Sequence, residues 1–371
     1  QVGLLPDGEP DGIIKENLLG DVKARISRLT KEVMKDLLVK AQYKALAQGL
    51  TSVQSDDIGY MADYDYDLMF KAFKELENEG KLQIRLGEQC LLEKTSAIRS
   101  FFDKGYHYGW GTDKCRVTCI KMLADGSLGA RTAAMREPYA DEPGTKGLEL
   151  FTQDQLDEMV MVAHSHNCPV AIHAIGNRAM DMALNAIEMA RKTDPSHTPR
   201  HGIVHCQITD EALLERFRKL EVLAFIQPIF LDYDMNIVAD RVGAEIAETS
   251  YLWKTMFDKG IHASFGTDCP VEAFNTMPNL YSAVARKNLT GEEKRVYLPK
   301  EKMTMQEAVH AYTVEGAYAS GEEDKKGSIA EGKLADFIVL ERDLFDLSSE
   351  EEILEAKVLE TYLDGKLVYS M

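Results

Sequence analysis

Residues 169–175, with the sequence PVAIHAI, form a short and almost wholly apolar run. Runs of this length and composition are typical of strands that a parallel sheet buries on both faces. Six further short β-rich runs occur along the chain, separated by segments with helical patterns. The seven predicted strands are 49–55, 82–92, 116–124, 169–175, 201–207, 222–228 and 261–268. This alternation predicts consecutive βα units, an α/β fold built around a parallel sheet.

Capping residues mark where helices begin between these strands. Thr152 and Gln155 have the spacing of a capping box, and so do Thr304 and Glu307. The predicted helices are one that begins at Thr152, one over 209–220 that begins at Thr209, and one over 304–319.

The length of the chain leaves room for a second module. It has 371 residues, against roughly 250 for a (β/α) barrel alone. After residue 320 the pattern changes to two alternating β stretches, the second with a D-G turn pair. We therefore expect a barrel domain over 1–320 and a small β portion over 321–371.

Composition excludes several classes of partner. Acidic residues outnumber basic ones by 61 to 43, which gives a net charge of −18 and argues against binding to nucleic acid. The longest apolar runs, 117–124 and 168–175, are far shorter than the roughly 18 residues of a membrane helix. The six cysteines lack C-x-x-C spacing, which favours reduced thiols and a cytoplasmic setting. The expected partner is a small-molecule substrate.

Four predicted strands end in a residue that can bind a metal or move a proton: Lys121, His173, His205 and Asp268. Each has an ordinary structural explanation when taken alone, such as a hydrogen-bonded histidine or a turn aspartate. Lys121 is harder to explain, because an ammonium group in an apolar strand needs a partner or a modification. Since the carboxyl ends of barrel strands all meet at one mouth, the four together favour a metal site.

The donor types suit a metal-dependent hydrolase. Neutral imidazoles and a carboxylate are ligands of zinc and similar ions, which lower the pKa of a bound water to about 7. An aspartate beside such a water can take its proton and later deliver it to a leaving group. The implied reaction is hydrolysis at a polarised carbonyl or a related carbon.

Several segments, in this order, resemble the metal-dependent amidohydrolase superfamily, in the branch of the N-substituted formamide deformylases. They are KMLADGSLGARTA (121–133), AIHAIGNRA (171–179), IVHCQ (203–207), GTDCPV (266–271) and KGSIAEGKLADFIVL (326–340). The resemblance implies a (β/α)8 TIM-like barrel and a small C-terminal β-sandwich portion.

The resemblance also implies a role for each candidate residue. Lys121 would be carboxylated by carbon dioxide and bridge two metal ions, and His173 and His205 would bind one of them. Asp268 would bind the other and act as general base and then acid. Ser127 and Arg131 would lie on the substrate side, although a role in stabilising their loop is an equal alternative.

The chain departs from the family pattern in three places. The family takes two more histidines from an H-x-H in its first barrel strand, and no strand of that kind precedes 49–55. We therefore expect the first strand and other N-terminal parts to be missing. The H-x-H at 164–166 closes a predicted helix, so we expect it at the opposite end of the barrel from the mouth. Asn177 stands where the family pattern has aspartate.

These observations predict a hydrolase of carbon–nitrogen bonds other than peptide bonds, acting on amides or formamides. The alternatives are a catalytically inactive barrel fragment and a binding or regulatory module. A third and weaker alternative is a lyase or isomerase that uses the same metal mouth. Because an open barrel has an exposed strand edge, something must cover it. A separate fragment or a second copy would do so, and the second copy would make a homodimer.

Overall fold

The computed structural model describes residues 2–5, 7–14, 29–56, 65–289 and 294–371. An antiparallel hairpin comes first, formed by β1 (Val2–Leu4) and β2 (Pro10–Ile14). The main sheet then has seven parallel strands in sequential order. They are β3 (Ser52–Ser55), β4 (Arg85–Leu91), β5 (Cys115–Leu123), β6 (Val170–Ala174), β7 (Gly202–His205), β8 (Leu223–Ile226) and β9 (Ala263–Phe265).

All seven predicted strands are confirmed, each shorter than or close to its predicted range. Every strand pairs in parallel with its neighbour in sequence, from β3 to β9. This order is that of consecutive βα units in a barrel. Within the described ranges β3 and β9 are the edge strands, and no eighth strand joins them.

Helices connect the strands. In chain order they are α1 (Lys31–Leu46), α2 (Tyr66–Asn78), α3 (Thr95–Asp103), α4 (Gln153–Ser165), α5 (Asn177–Thr193), α6 (Glu211–Lys219), α7 (Leu231–Asp234), α8 (Val238–Val242), α9 (Ala244–Ala247), α10 (Trp253–Asp258), α11 (Thr276–Ala285) and α12 (Met305–Ala319). The face of α4 that packs into the core carries Leu156, Met159, Val160 and Ala163, all buried. Each large apolar side chain buried in this way contributes about 1.5–3 kcal/mol.

The capping predictions are confirmed at two helices and wrong at a third. Both capping boxes form, at Thr152 before α4 and at Thr304 before α12. Helix α6 begins one residue later than predicted, because Asp210 is its N-cap and accepts from Leu213 N at 2.8 Å. The Thr209 hydroxyl donates instead to Thr249 O, at 2.7 Å. Two adjacent residues can both cap a helix, and this contact with a distant loop decides between them.

A separate antiparallel sheet of three strands lies at the C-terminal end of the chain. Its strands are β10 (Phe337–Leu340), β11 (Val358–Leu363) and β12 (Lys366–Ser370). The predicted D-G turn joins the last two, with positive φ angles of 52° at Asp364 and 71° at Gly365, as a type I′ hairpin requires. The boundary at residues 320 and 321 remains a prediction.

A buried ion pair ties this sheet to the main one. Arg85, the first residue of β4, donates through Nε to Asp336 at 2.6 Å and also contacts Asp364. Arg85 and Asp336 are each about 5% exposed or less. A guanidinium with two carboxylate partners keeps its hydrogen bonds satisfied in this dry setting. No helix in the described ranges is long and apolar enough to cross a membrane.

Candidate active site

The four predicted site residues lie at the carboxyl ends of their strands. Lys121 is near the end of β5 and His173 is the fourth residue of β6. His205 is the last residue of β7, and Asp268 follows β9 by three residues. The rings of His173 and His205 are 4.4 Å apart between centroids. The strand ends therefore bring these side chains to one mouth, and their role as metal ligands remains a prediction.

The protonation state of His205 follows from its contact with Gln227. The Gln227 amide donates through Nε2 to Phe225 O at 3.0 Å, which leaves its Oε1 to accept. That oxygen lies 2.8 Å from His205 Nδ1, so Nδ1 carries the proton. Burial lowers the pKa of His205 well below its usual value, and the charges on His173 and Lys121 add to the effect. His205 is thus a neutral imidazole with Nε2 available as a ligand atom.

His173 is held by two oxygen acceptors. Its Nε2 lies 3.1 Å from Gly126 O and 3.2 Å from Asp125 Oδ1, so Nε2 carries the proton. The other ring nitrogen, Nδ1, is left as the ligand atom. Metal-binding histidines in proteins are commonly oriented by a carboxylate or carbonyl in this way.

Asp125 connects the loops that follow two adjacent strands. Its buried carboxylate accepts backbone N–H groups from Ala134 at 2.8 Å, Ile175 at 3.1 Å and Gly176 at 2.8 Å. These contacts join the loop after β5 to the loop after β6. Because the same carboxylate contacts His173, it fixes the loops and the histidine together. Sequence reasoning missed Asp125, although a carboxylate directly after a buried strand was a usable signal.

Lys121 is buried beside a further carboxylate, and Asp268, whose side chain is exposed at the mouth, lies close enough to feel the charges of both. Lys121 Nζ lies 3.8 Å from Oδ2 of Asp56, the residue that follows β3, and only 6% of the lysine side chain is exposed. Loss of hydration around the carboxyl group raises the pKa of Asp268. The charge on Lys121 opposes that rise and the charge on Asp56 adds to it. Asp56 is a second residue that sequence reasoning did not single out.

The backbone is unusual at two of these residues. His205 has φ of 80° and Asp268 has φ of 55°, both in the left-handed region. Non-glycine residues adopt this region at a cost of order 1–3 kcal/mol, and such strain clusters at functional sites. At both positions the turn directs the chain away from the end of a strand.

The donor types at the mouth fit a divalent metal. Two imidazoles with defined ligand atoms, together with the Asp268 carboxylate, are the set that zinc prefers. Among the described residues, no three His, Cys, Asp or Glu side chains lie close enough together to hold an ion as they stand. The fit is therefore one of donor chemistry and strand position.

The two predicted substrate-side residues make contacts within their own loop. Ser127 O accepts the N–H groups of Thr132 and Ala133, both at 3.0 Å. Arg131 donates to both oxygens of Asp141, at 3.0 and 2.8 Å. These contacts support the loop-stabilising alternative, and a role toward substrate remains a prediction.

The H-x-H pair lies away from the mouth, as expected. His164 Nδ1 is 2.9 Å from Nε2 of His201, the residue before β7 begins, and its Nε2 is 2.8 Å from Asp194 O. The His166 ring stacks on Phe102, with centroids 4.0 Å apart. His164 is thus at the amino end of β7, whereas His205 is at its carboxyl end. Asn177 has a structural contact, accepting from Arg136 N at 2.8 Å.

Two curated proteins are similar to this chain in sequence. YtcJ of Bacillus subtilis (strain 168), whose name describes an amidohydrolase, is 30% identical over 98% of this chain and 66% of its own length. N-substituted formamide deformylase of Arthrobacter pascens is 30% identical over 60% of this chain and 40% of its own. The chain therefore spans about two thirds or less of the length of these curated relatives.

Two solved structures of metal-dependent hydrolases are also similar to this chain. An uncharacterized metal-dependent hydrolase from Pyrococcus furiosus superposes with a TM-score of 0.77 at 29% identity, over 90% of this chain and 66% of that one. A second, from Pyrococcus horikoshii OT3, has a TM-score of 0.78 at 29% identity, over 94% of this chain and 68% of that one. The model of the amidohydrolase family matches residues 2–369. With nearly its whole length matched, this chain belongs to the amidohydrolase family.

Proposed function

We propose that this chain provides the catalytic mouth of a metal-dependent hydrolase that cleaves carbon–nitrogen bonds other than peptide bonds. The observation that supports this proposal best is the meeting of Lys121, His173, His205 and Asp268 at the carboxyl ends of four strands. In barrels of this kind, catalytic residues come from those ends. An amide or formamide is the proposed substrate, because one relative is named an N-substituted formamide deformylase.

His173 through Nδ1 and His205 through Nε2 would hold a divalent metal, with zinc as the first choice by donor type. Asp268 would complete the donor set. When bound, such a metal polarises a carbonyl and lowers the pKa of water to about 7.

Asp268 is the proposed general base and acid. Loss of hydration around its carboxyl group raises the pKa of Asp268, which makes the carboxylate a better proton acceptor than an aspartate with an ordinary pKa. It would take a proton from the attacking water and then give that proton to the nitrogen of the departing amine. The carboxylate is thereby regenerated at the end of each cycle.

Lys121 is proposed to react with carbon dioxide. Its neutral Nζ would form a bond to the carbon atom and release one proton, giving a carbamate anion that can bind metal. This reaction would replace a buried ammonium group by an anion at the same mouth as the neutral His205. Ser127 and Arg131 are the proposed substrate-side residues of the neighbouring loop.

A second candidate is a barrel that binds a ligand or partner without catalysis. It is favoured by one observation, that no three metal-binding side chains of the described residues lie close enough together to share an ion.

A homodimer is a related proposal, because a second copy could cover the edge strands β3 and β9. Light scattering in solution tests that assembly directly. We further propose a cytoplasmic location.

A formamide and amide screen separates hydrolase from binding module. The zinc-loaded protein is assayed beside Asp268→Asn and a control, Asp258→Asn, which alters an exposed aspartate of α10. The hydrolase proposal expects amine release by the wild type and the control, and a loss of about 100-fold or more in Asp268→Asn. No amine release, or equal release by all three proteins, would refute it.

A further inference from the structure

A cavity of about 490 Å³ lies at the end of the sheet opposite the mouth. Its walls come from residues 195–200, 217–222 and 260–262, together with the ends of α5 and α12. Three of these wall segments directly precede or enter β7, β8 and β9. The cavity is therefore at the amino ends of those strands, whereas His205 and Asp268 are at the carboxyl ends. Its volume is in the range of sites for small organic ligands.

Arg191, in the last turn of α5, is the distinctive residue of this cavity. Its guanidinium is partly buried and donates to Leu220 O. In the part of the chain that the structure describes, it forms no ion pair with a carboxylate within 4 Å. None of its nitrogens is both buried and without a hydrogen-bond partner. Its remaining N–H groups are therefore accessible and available to a ligand.

The other arginines that line the cavity are already paired. Arg200 donates to Glu323 at 2.6 Å, and Arg218 to Glu215 at 3.0 Å. Glu221 also lines the cavity, and its negative charge acts on Arg191 from beyond ion-pair distance. Among the described residues, the Arg191 guanidinium thus lacks an ion-pair partner. The nearby Glu221 carboxylate would repel a second negative charge on a ligand. This balance favours a ligand with a single negative charge over a phosphate dianion.

Part of the remaining wall is apolar. Phe217, Val222 and Ile261 are buried side chains that line the cavity. Tyr318 adds an aromatic surface, with the Arg200 guanidinium 3.9 Å from its ring centroid and the His262 ring 4.0 Å from it. A ligand with an apolar body beside its charged group can therefore contact this part of the wall and the Arg191 guanidinium together.

We propose that this cavity binds a small organic monocarboxylate. The carboxylate accepts two N–H groups from the Arg191 guanidinium, whose planar fork matches it. The apolar body lies against Val222 and Ile261. This site is separate from the mouth and does not depend on the metal or on the proposed hydrolysis.

Benzoate, benzamide and inorganic phosphate are the probes, followed through the methyl NMR signals of Val222 and Ile261. We expect benzoate to shift both signals and to saturate, and we expect binding of benzamide and phosphate to be weaker by about 10-fold or more. Shifts confined to methyl groups near the mouth, equal binding of benzoate and benzamide, or no binding of benzoate would each overturn the proposal. Phosphate binding as tight as benzoate binding would overturn the assigned ligand class.

Substitutions of Arg191 test whether its guanidinium contacts the carboxylate of the ligand. Arg191→Gln is expected to weaken benzoate binding by about 10-fold or more, and Arg99→Gln, at an exposed arginine of α3, to leave it unchanged. Arg191→Lys keeps the charge and can still donate to Leu220 O, so it serves if the glutamine variant does not fold. It is expected to bind benzoate more weakly than the wild type, because it lacks the fork. Wild-type affinity in a folded Arg191 variant would refute the site.

Discussion

The side-chain amide of Gln227 determines which ring nitrogen of His205 carries the proton. Because Gln227 Nε2 donates to Phe225 O, its Oε1 must accept from His205 Nδ1, at 2.8 Å. The neighbouring His173 has the opposite arrangement, with its proton on Nε2 facing Asp125 and Gly126. Two buried hydrogen-bond networks thus set one ligand atom on each histidine before any metal arrives.

Replacing Gln227 by Leu should release His205 from this arrangement. We expect zinc affinity to fall by about 10-fold to 100-fold, as is usual when the partner of a metal-binding histidine is lost. Nitrogen chemical shifts of the metal-free imidazole should show a mixture of tautomers in the variant and one tautomer in the wild type. Gln227→Glu, which can still accept from Nδ1, should retain the wild-type tautomer. An unchanged single tautomer in Gln227→Leu would show that other contacts fix the ring.

Asp125→Asn should destabilise the protein strongly. An asparagine side chain replaces one acceptor oxygen by an N–H₂ group, which would face the backbone donors of Ala134, Ile175 or Gly176. We expect the free energy of unfolding in urea to fall by about 2–4 kcal/mol. The exposed control, Asp258→Asn, should change it by less than about 0.5 kcal/mol. A loss of similar size in both variants would mean that Asp125 is not the link between its loops.

The buried pair His164 and His201 should make stability sensitive to acid. Val170 N donates to His201 Nδ1, and the chain of hydrogen bonds continues through His164 to Asp194 O. Both ring nitrogens of His201 and of His164 already take part in these hydrogen bonds. A further proton on either ring would break one of them. Burial lowers the pKa of His201 well below its usual value, and the charges on Arg191 and His164 add to this.

The unfolded chain therefore binds a proton at His201 below about pH 6.5, and the folded protein does not. Stability is complete above that pH and falls as the pH decreases, by about 1.4 kcal/mol per pH unit for this residue. Urea unfolding of the wild type and of His201→Gln between pH 8 and pH 5 measures the difference. The variant should lose less stability per pH unit, and parallel pH dependences would contradict the assignment.

Arg85→Leu should weaken the attachment of the C-terminal sheet. The change leaves the buried carboxylate of Asp336 without its guanidinium partner, and breaking a buried pair in this way costs about 3–5 kcal/mol. Thermal unfolding beside the surface control Arg99→Leu measures the loss. Limited proteolysis should also cut the segment after residue 340 more readily in Arg85→Leu. Equal stability of the two variants would mean that the ion pair contributes little.

The sheet could be predicted from the sequence because β-rich runs alternate with helical patterns, and β5, β6 and β7 all fall inside their predicted ranges or within one residue of them. The four strand-end residues could be predicted for the same reason, since their place on a strand fixes the end of the sheet they occupy. The start of α6 could not, because Thr209 and Asp210 are equally able to cap a helix. A contact with Thr249, 40 residues away in the chain, decides that choice.

The contacts that orient the two histidines could not be predicted from the sequence, because they join residues that are far apart in the chain. Gln227 contacts a histidine 22 residues earlier, and Asp125 contacts backbone groups 50 and 51 residues later. Neither contact leaves a periodic signal. Asp56 shares this property, because only the pairing of β3 with β4 and of β4 with β5 brings it near Lys121.

Zinc binding by the two histidines distinguishes a metal site at this mouth from a purely structural cluster. Metal-free protein is titrated with zinc in competition with a chromophoric chelator, for the wild type and for the double variant His173→Ala, His205→Ala. We expect the wild type to bind zinc in competition with the chelator and the double variant not to bind it, while both have the same circular dichroism. Equal zinc binding by the two proteins, whether both bind the metal or neither does, would contradict a metal site at this mouth.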